Sequence, residues 1–216
     1  MTTNIALSSQ EPSKLYTHVI LDRSGSMHDC ASDAVGGYNA YVAKLPNTAR
    51  VSLTLFDTAG IDLVRDAVEP AAARLTDDEY VPRSTTPLYD AIGRTLAEVE
   101  KRSKGFDRVA LVILTDGFEN ASREFTRAAI LKSLTRKQEQ DGWLVVYLGA
   151  NQDAWEVGQK FGSSSPNTMS FDARNVSVVM ASAADATNRY ADSKDAQLGR
   201  LEAGFSFLDR ERARKT

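Results

Sequence analysis

The sequence predicts a three-layer α/β domain, doubly wound around a mainly parallel central sheet that carries one antiparallel edge strand. Three observations predict it. Short, near-continuous apolar runs alternate with segments whose apolar residues recur every three or four positions, the order expected when helices cover both faces of a parallel sheet. The most apolar run, "RVALVILTDG" at 108–117, is short and closed by Asp-Gly, which marks a central strand and not a helix. A tight "TAG" turn joins two strand-like runs, a spacing that suits a hairpin and so supplies the antiparallel edge.

The elements follow in order. Residues 15–21 are nearly all apolar, as for a strand covered on both faces, and Ala31, Val35, Tyr38, Val42 and Leu45 then fall on one helical stripe that Pro46 stops. "RVSLTLFD" (50–57) and "IDLVRDAV" (61–68) are the hairpin strands. Pro87 sits where a helix can begin, with Leu88, Ile92, Leu96 and Val99 on its buried face. Beyond the central strand we expect a helix over 122–140, a strand over 143–150, a helix over 153–161 and a strand around "TMSF" (168–171). Val176, Met180, Ala183, Thr187 and Tyr190 make a last clear helical stripe. The expected organisation is a flexible segment over 1–14, one domain over 15–191, and an amphipathic segment with a charged tail over 192–216.

The totals narrow the class. With 216 residues, 42% hydrophobic and 25% charged, the chain can bury one core, and a net charge of -3 favours neither a nucleic-acid nor a membrane partner. A lone cysteine, Cys30, excludes an internal disulfide framework and fits a reducing compartment. The N-terminus lacks the pattern of a signal peptide, and no apolar run approaches the ~18 residues of a spanning helix, so the expected location is cytoplasmic.

In "HVILDRSGSM" (18–27) the apolar strand gives way to Asp22, Ser24 and Ser26, two residues apart. Ligands of an open parallel sheet bind beyond the carboxyl ends of its strands, and two more segments belong there: "STTPLYDA" (84–91), just before a helix, and Asp116 at the end of "ALVILTD". All three offer oxygen. Carboxylates and hydroxyls without nitrogen or sulfur suit a hard divalent cation, and few carboxylates with spare positions suit Mg²⁺, although Mn²⁺ and Ca²⁺ fit the same ligand types. Alternate residues of an extended turn can aim at one point, while Gly25 lets the backbone bend.

"DRSGS", "STTPLYDA" and "LTDG" resemble the three segments of the metal-ion-dependent adhesion site of von Willebrand factor type A domains. The resemblance covers roughly residues 15–190, and "YLGANQDA" (147–154) looks most like stand-alone bacterial and phage-associated members. It implies a Rossmann-like sheet with one antiparallel edge strand, and Asp22, Ser24, Ser26, Thr86 and Asp116 as metal ligands. Many members carry glycine just ahead of the threonine, whereas this chain has Ser84 and Thr85, so Thr85 competes with Thr86; Thr86 is preferred because it directly precedes Pro87. The implied function is binding without turnover: the cation, keeping an open position, takes an Asp or Glu of another protein. Arg23, Met27, His28, Phe118 and Glu119 are the expected rim that selects that partner.

The same residues admit other readings. A haloacid-dehalogenase-type phosphotransferase needs an acid two residues after its nucleophilic Asp, and Ser24 stands there instead. No Gly-x-x-x-x-Gly-Lys loop, Gly-x-Gly-x-x-Gly turn or hydrolase elbow occurs. Ser26, Asp29, Thr85 and Thr86 can each be plain helix caps, and "TDG" a plain turn. His18 reads as a hydrogen-bonded strand residue, Cys30 as a helix residue without chemistry, and Trp143 and Trp155 as packing residues. The stripe Leu198, Leu201, Phe205 and Leu208, interrupted by Gly204, is either a terminal helix folded back on the domain or an exposed segment for self-association or a partner. A scaffold whose metal site is mainly structural is therefore the competing function.

Overall fold

The computed structural model describes residues 13–150 and 167–214. Its first strand, β1 (Leu15–Asp22), is buried at every position, as its unbroken apolar run requires. β1 lies between β2 (Arg50–Asp57) and β4 (Arg108–Thr115) and parallel to both, with Val19 level with Leu53 on one side and Val112 on the other. β3 (Gly60–Val68) turns back antiparallel along β2 and forms the partly exposed edge. β5 (Leu144–Gly149) and β6 (Thr168–Ser170) continue the parallel set, so the order is β3-β2-β1-β4-β5-β6. The expected mainly parallel sheet with one antiparallel edge is the observed one.

Helices α1 (Ala31–Lys44), α2 (Leu88–Arg102), α3 (Arg127–Glu139) and α4 (Val176–Asp192) cover the sheet. Side chains alternate across a strand, so β1 feeds two cores. Val19 and Leu21 join Val35, Tyr38 and Val42 of α1 and Met180 and Ala183 of α4. Tyr16 and Ile20 join Leu88, Ile92 and Val99 of α2 and Ile130 and Leu134 of α3. Each such aliphatic side chain contributes about 1.5–3 kcal/mol when fully buried. His18 stays neutral inside β1, because burial pushes its imidazole down to about 3, and its ring nitrogens meet the hydroxyls of Tyr16 at 3.2 Å and Thr54 at 2.8 Å.

Two expectations change. The helix expected from Ser122 starts at Arg127, because the carboxylate of Asp90 takes the backbone N–H groups of Arg123, Glu124 and Phe125 at 2.8–2.9 Å and holds them as a loop. Thr126 then caps the helix, its hydroxyl accepting from Ala129 N–H at 3.3 Å. The C-terminal stripe is broken into α5 (Ala196–Glu202) and α6 (Phe207–Arg214), since Ser206 accepts Asp209 N–H and opens a new helix. Ala203, Phe205 and Ala213 of this segment are buried, whereas Leu198, Leu201, Phe207 and Leu208 are exposed. Residues 1–12, most of the segment expected over 1–14, lie outside the described residues, as do the helix expected over 153–161 and Trp155; Lys14 N–H donates to Asp107 at 2.9 Å. Among the described residues no helix is long and apolar enough to cross a membrane.

Candidate metal centre

The chain leaves β1 toward β2 on one side and reaches β4 on the other, so a crevice opens where the carboxyl ends of β1 and β4 diverge. Leu21 is level with Leu114, which sets Asp22 beside Thr115. The Asp22 carboxylate accepts from the Thr115 hydroxyl and from Ser24 N–H at 2.7 Å, and its backbone carbonyl accepts from the Tyr80 hydroxyl. Ser24 stands at the start of a short turn (Gly25–Cys30), yet its side chain caps nothing; it lies 3.1 Å from the Ser26 hydroxyl. Ser26 in turn donates to Asp116 at 2.7 Å. The cap of α1 is at Cys30, so neither Ser26 nor Asp29 is spent there.

Gly117 reports where Thr86 lies. A Cβ built on that glycine would fall 2.8 Å from the Thr86 hydroxyl, 3.3 Å from that of Ser26 and 3.6 Å from that of Ser24. Three hydroxyls from two segments thus surround one point on a third segment, and the two carboxylates stand beside them. Thr85 faces elsewhere, its hydroxyl donating to that of Thr58 at 3.2 Å, while Thr86 is buried and its N–H donates to Asn120 at 3.0 Å.

Two carboxylates carry the charge of this cluster. Burial pushes the Asp22 carboxyl up to about 6, against the lowering pull of Thr115 and Ser24, and the neighbouring Asp116 raises it further. Asp116 is also raised, chiefly by burial. Arg23, although between two of the cluster residues, turns away to Asp57 and Asp62, each at 2.8 Å. Among the described residues no three of His, Cys, Asp and Glu gather as an ion site, so a cation held here would have to draw on the hydroxyls. Two carboxylates and three hydroxyls, with a cradle that one added methyl would fill, fit a hard divalent ion.

The expected rim divides. His28 and Phe118 are exposed and available. Arg23 is consumed by its two ion pairs, and Met27 is fully buried in the core. Glu119 is structural: it accepts from the N–H groups of Tyr89, Ala121 and Ser122 at 3.0, 2.9 and 2.7 Å, joining the start of α2 to the loop after β4. Sequence reasoning missed Thr115, Tyr80, Gly117 and Asn120. Only Thr115 and Gly117 carried a signal, as the neighbours of Asp116 in "TDG".

No family model and no curated protein matches the sequence. Solved structures do match. One is a von Willebrand factor type A protein from Catenulispora acidiphila, 13% identical, with a TM-score of 0.62 over 82% of this chain and 43% of that one. The chain has the von Willebrand factor type A fold. Proximal thread matrix protein 1 from the mussel byssus, with a zinc-occupied metal-ion-dependent adhesion site, shares this fold at 16% identity and a TM-score of 0.59, over 80% of this chain and 46% of that one. The manganese-loaded TRAP protein of Plasmodium vivax shares it at 13% identity and a TM-score of 0.54, over 76% and 71%. This chain spans less than half the length of the first two.

Proposed function

We propose that the chain is a metal-dependent protein-interaction module. Asp22, Ser24, Ser26, Thr86 and Asp116 hold a divalent cation, Mg²⁺ with Mn²⁺ or Ca²⁺ as alternatives, and present it to an Asp or Glu of a partner protein. The observation that carries this reading is the gathering of hydroxyls from 24, 26 and 86 within 3.6 Å of one point at Gly117. Structures of the same fold that hold manganese or zinc support it. The bound ion supplies an electrophilic position for a carboxylate oxygen. Asp22 and Asp116 supply the charge that retains the ion, the hydroxyls complete its shell without neutralising it, and His28 and Phe118 lie exposed for the partner. Ser24 cannot act as a general acid near neutral pH, which disfavours a phosphotransferase of the haloacid-dehalogenase type, and the likeness to adhesion-type relatives of this fold favours binding without turnover. A cytoplasmic setting with one unpaired cysteine completes the proposal.

Calorimetry with MgCl₂ and MnCl₂ tests it. Wild-type protein takes up one ion, Ser26→Ala loses uptake at least tenfold, and partner capture is abolished by EDTA and restored by Mg²⁺. A folded wild type that takes up no ion at millimolar concentration refutes the proposal. The competing scaffold reading draws on the exposure of Leu198, Leu201, Phe207 and Leu208, at 52, 56, 75 and 62%. Under that reading, capture survives EDTA and is lost in the double variant Leu201→Glu, Phe207→Glu.

A further inference from the structure

Asp57, at the end of β2, belongs to none of the segments that carry the proposed ligands, yet its carboxylate grips two of them. Oδ2 accepts from Arg23 Nε at 2.8 Å and from Arg83 Nε at 3.1 Å, while Oδ1 accepts from the N–H groups of Ala59 at 2.6 Å and Gly60 at 3.1 Å. Arg23 sits between Asp22 and Ser24, and Arg83 sits just ahead of Ser84, Thr85 and Thr86. The backbones of these two segments also join: Arg83 N–H donates to Arg23 O at 2.9 Å and Gly25 N–H donates to Ser84 O at 3.0 Å. β2 is stitched to both, with Arg23 N–H on Phe56 O at 2.8 Å and Thr58 N–H on Thr85 O at 3.1 Å. The Asp57 side chain is wholly shielded from solvent, where a charge-assisted bond is stronger than at the surface. Burial alone would raise its pKa, but the donors from Arg23, Ala59 and Arg83 outweigh burial and hold it below the usual carboxylate value. Ser84 has a left-handed backbone, φ 62°, a conformation unfavourable for a residue other than glycine, so this segment needs an external hold.

We infer that Asp57 is a positioning residue for the candidate metal centre, fixing the Ser24–Ser26 loop against the Thr86 segment so that hydroxyls from both face one point. The inference rests on the metal-binding reading proposed above. Outer partners of this kind change metal affinity by about 10–100-fold when removed.

The test is Asp57→Asn, which keeps the size and one oxygen for Ala59 and Gly60 but removes the charge shared by the two guanidiniums. In the metal-free protein, hydrogen exchange at the Gly25 and Arg83 amides should quicken at least tenfold, while the Ala91 amide of α2 keeps its rate. In calorimetry with MnCl₂, well below the melting temperature, affinity should fall about tenfold or more. Tyr41→Phe is the control for plain destabilisation: its buried hydroxyl meets Thr17 at 2.7 Å and Thr187 at 3.2 Å, toward the other end of β1, and its loss should leave both readouts unchanged. Should Asp57→Asn fail to fold, Arg83→Ala removes the half-exposed arm of the clamp and should move both readouts in the same direction by several-fold. Wild-type exchange and wild-type Mn²⁺ affinity in the folded variants overturn the inference and leave the metal centre standing. A wild-type protein that binds no Mn²⁺ overturns the metal-binding reading itself, whatever the two amides do.

Discussion

The smallest change that would separate a working ion site from a mere cluster of hydroxyls is a methyl group at residue 117. Gly117 is not in a left-handed backbone conformation, so alanine is acceptable to the main chain, and the effect is purely one of space. The new carbon would stand 2.8 Å from the Thr86 hydroxyl, closer than real contacts allow, and Thr86 is too buried to swing clear. Gly117→Ala should therefore cost about 1–2 kcal/mol of stability as an overpacking change and weaken Mn²⁺ uptake at least tenfold; calorimetry on the folded variant checks it, and unchanged affinity would mean that Thr86 is no ligand. The three segments that carry Asp22, Ser24, Ser26, Thr86 and Asp116 were legible through their resemblance to a known three-segment site, since a loop after a strand and a stretch ahead of a helix are local patterns, and the structure brings their side chains together. The fate of the neighbouring charges was not. Arg23 finds Asp57 across 34 positions and Glu119 finds Tyr89 across 30, and a charged residue reads the same whether it faces solvent or a distant partner.

Among the elements, the strands were legible almost to the residue, since two-sided burial writes itself as an unbroken apolar run, and the hairpin was legible from its turn. The start of α3 was not, because the signal that delays it lies on α2. Asp90, buried in the first turn of that helix, accepts three consecutive backbone N–H groups from Arg123, Glu124 and Phe125. Nothing near residue 122 reveals that its successors already have an acceptor. The same latch packs Phe125 on Gly93, where an added Cβ would lie 2.6 Å from the ring. Asp90→Ala leaves three N–H groups without their carboxylate and should destabilise the fold by roughly 3 kcal/mol at pH 7 in urea titrations. Burial alone would raise the Asp90 carboxyl, but its three donors outweigh that and hold it below the ordinary 3.8. The folded state thus binds the proton less readily than the unfolded one, so the contribution is complete above that value and is lost as pH falls through the folded value. The gap between wild type and variant should accordingly narrow in strong acid, and a gap independent of pH would show that the carboxylate charge is not what holds the latch.

Taken as one molecule, the fold brings together oxygens from positions 22–26, 86 and 116, which an unfolded chain has no means to gather. Whatever ion these residues hold is then bound by the native state alone, and mass action makes it a stabiliser: about 2.7 kcal/mol at a free concentration one hundred times the dissociation constant. A bound cation would also offset a cost of the fold, since burial raises both carboxylates and the charge of Asp116 raises Asp22 further. For a chain of this size each kcal/mol raises the melting temperature by about 2–4 °C, so saturating Mg²⁺ or Mn²⁺ should shift it by about 5–11 °C. Screening of surface charge by added salt could mimic a small shift, and NaCl at matched ionic strength removes that ambiguity. Ser26→Ala, which deletes a proposed ligand and the hydroxyl that bonds Asp116, should keep its own melting temperature nearly independent of the metal. Thermal melts across a metal series decide the matter: a shift that saturates in the wild type and vanishes in Ser26→Ala ties uptake to the three-loop cluster, whereas equal shifts in both proteins would place the ion elsewhere on the surface.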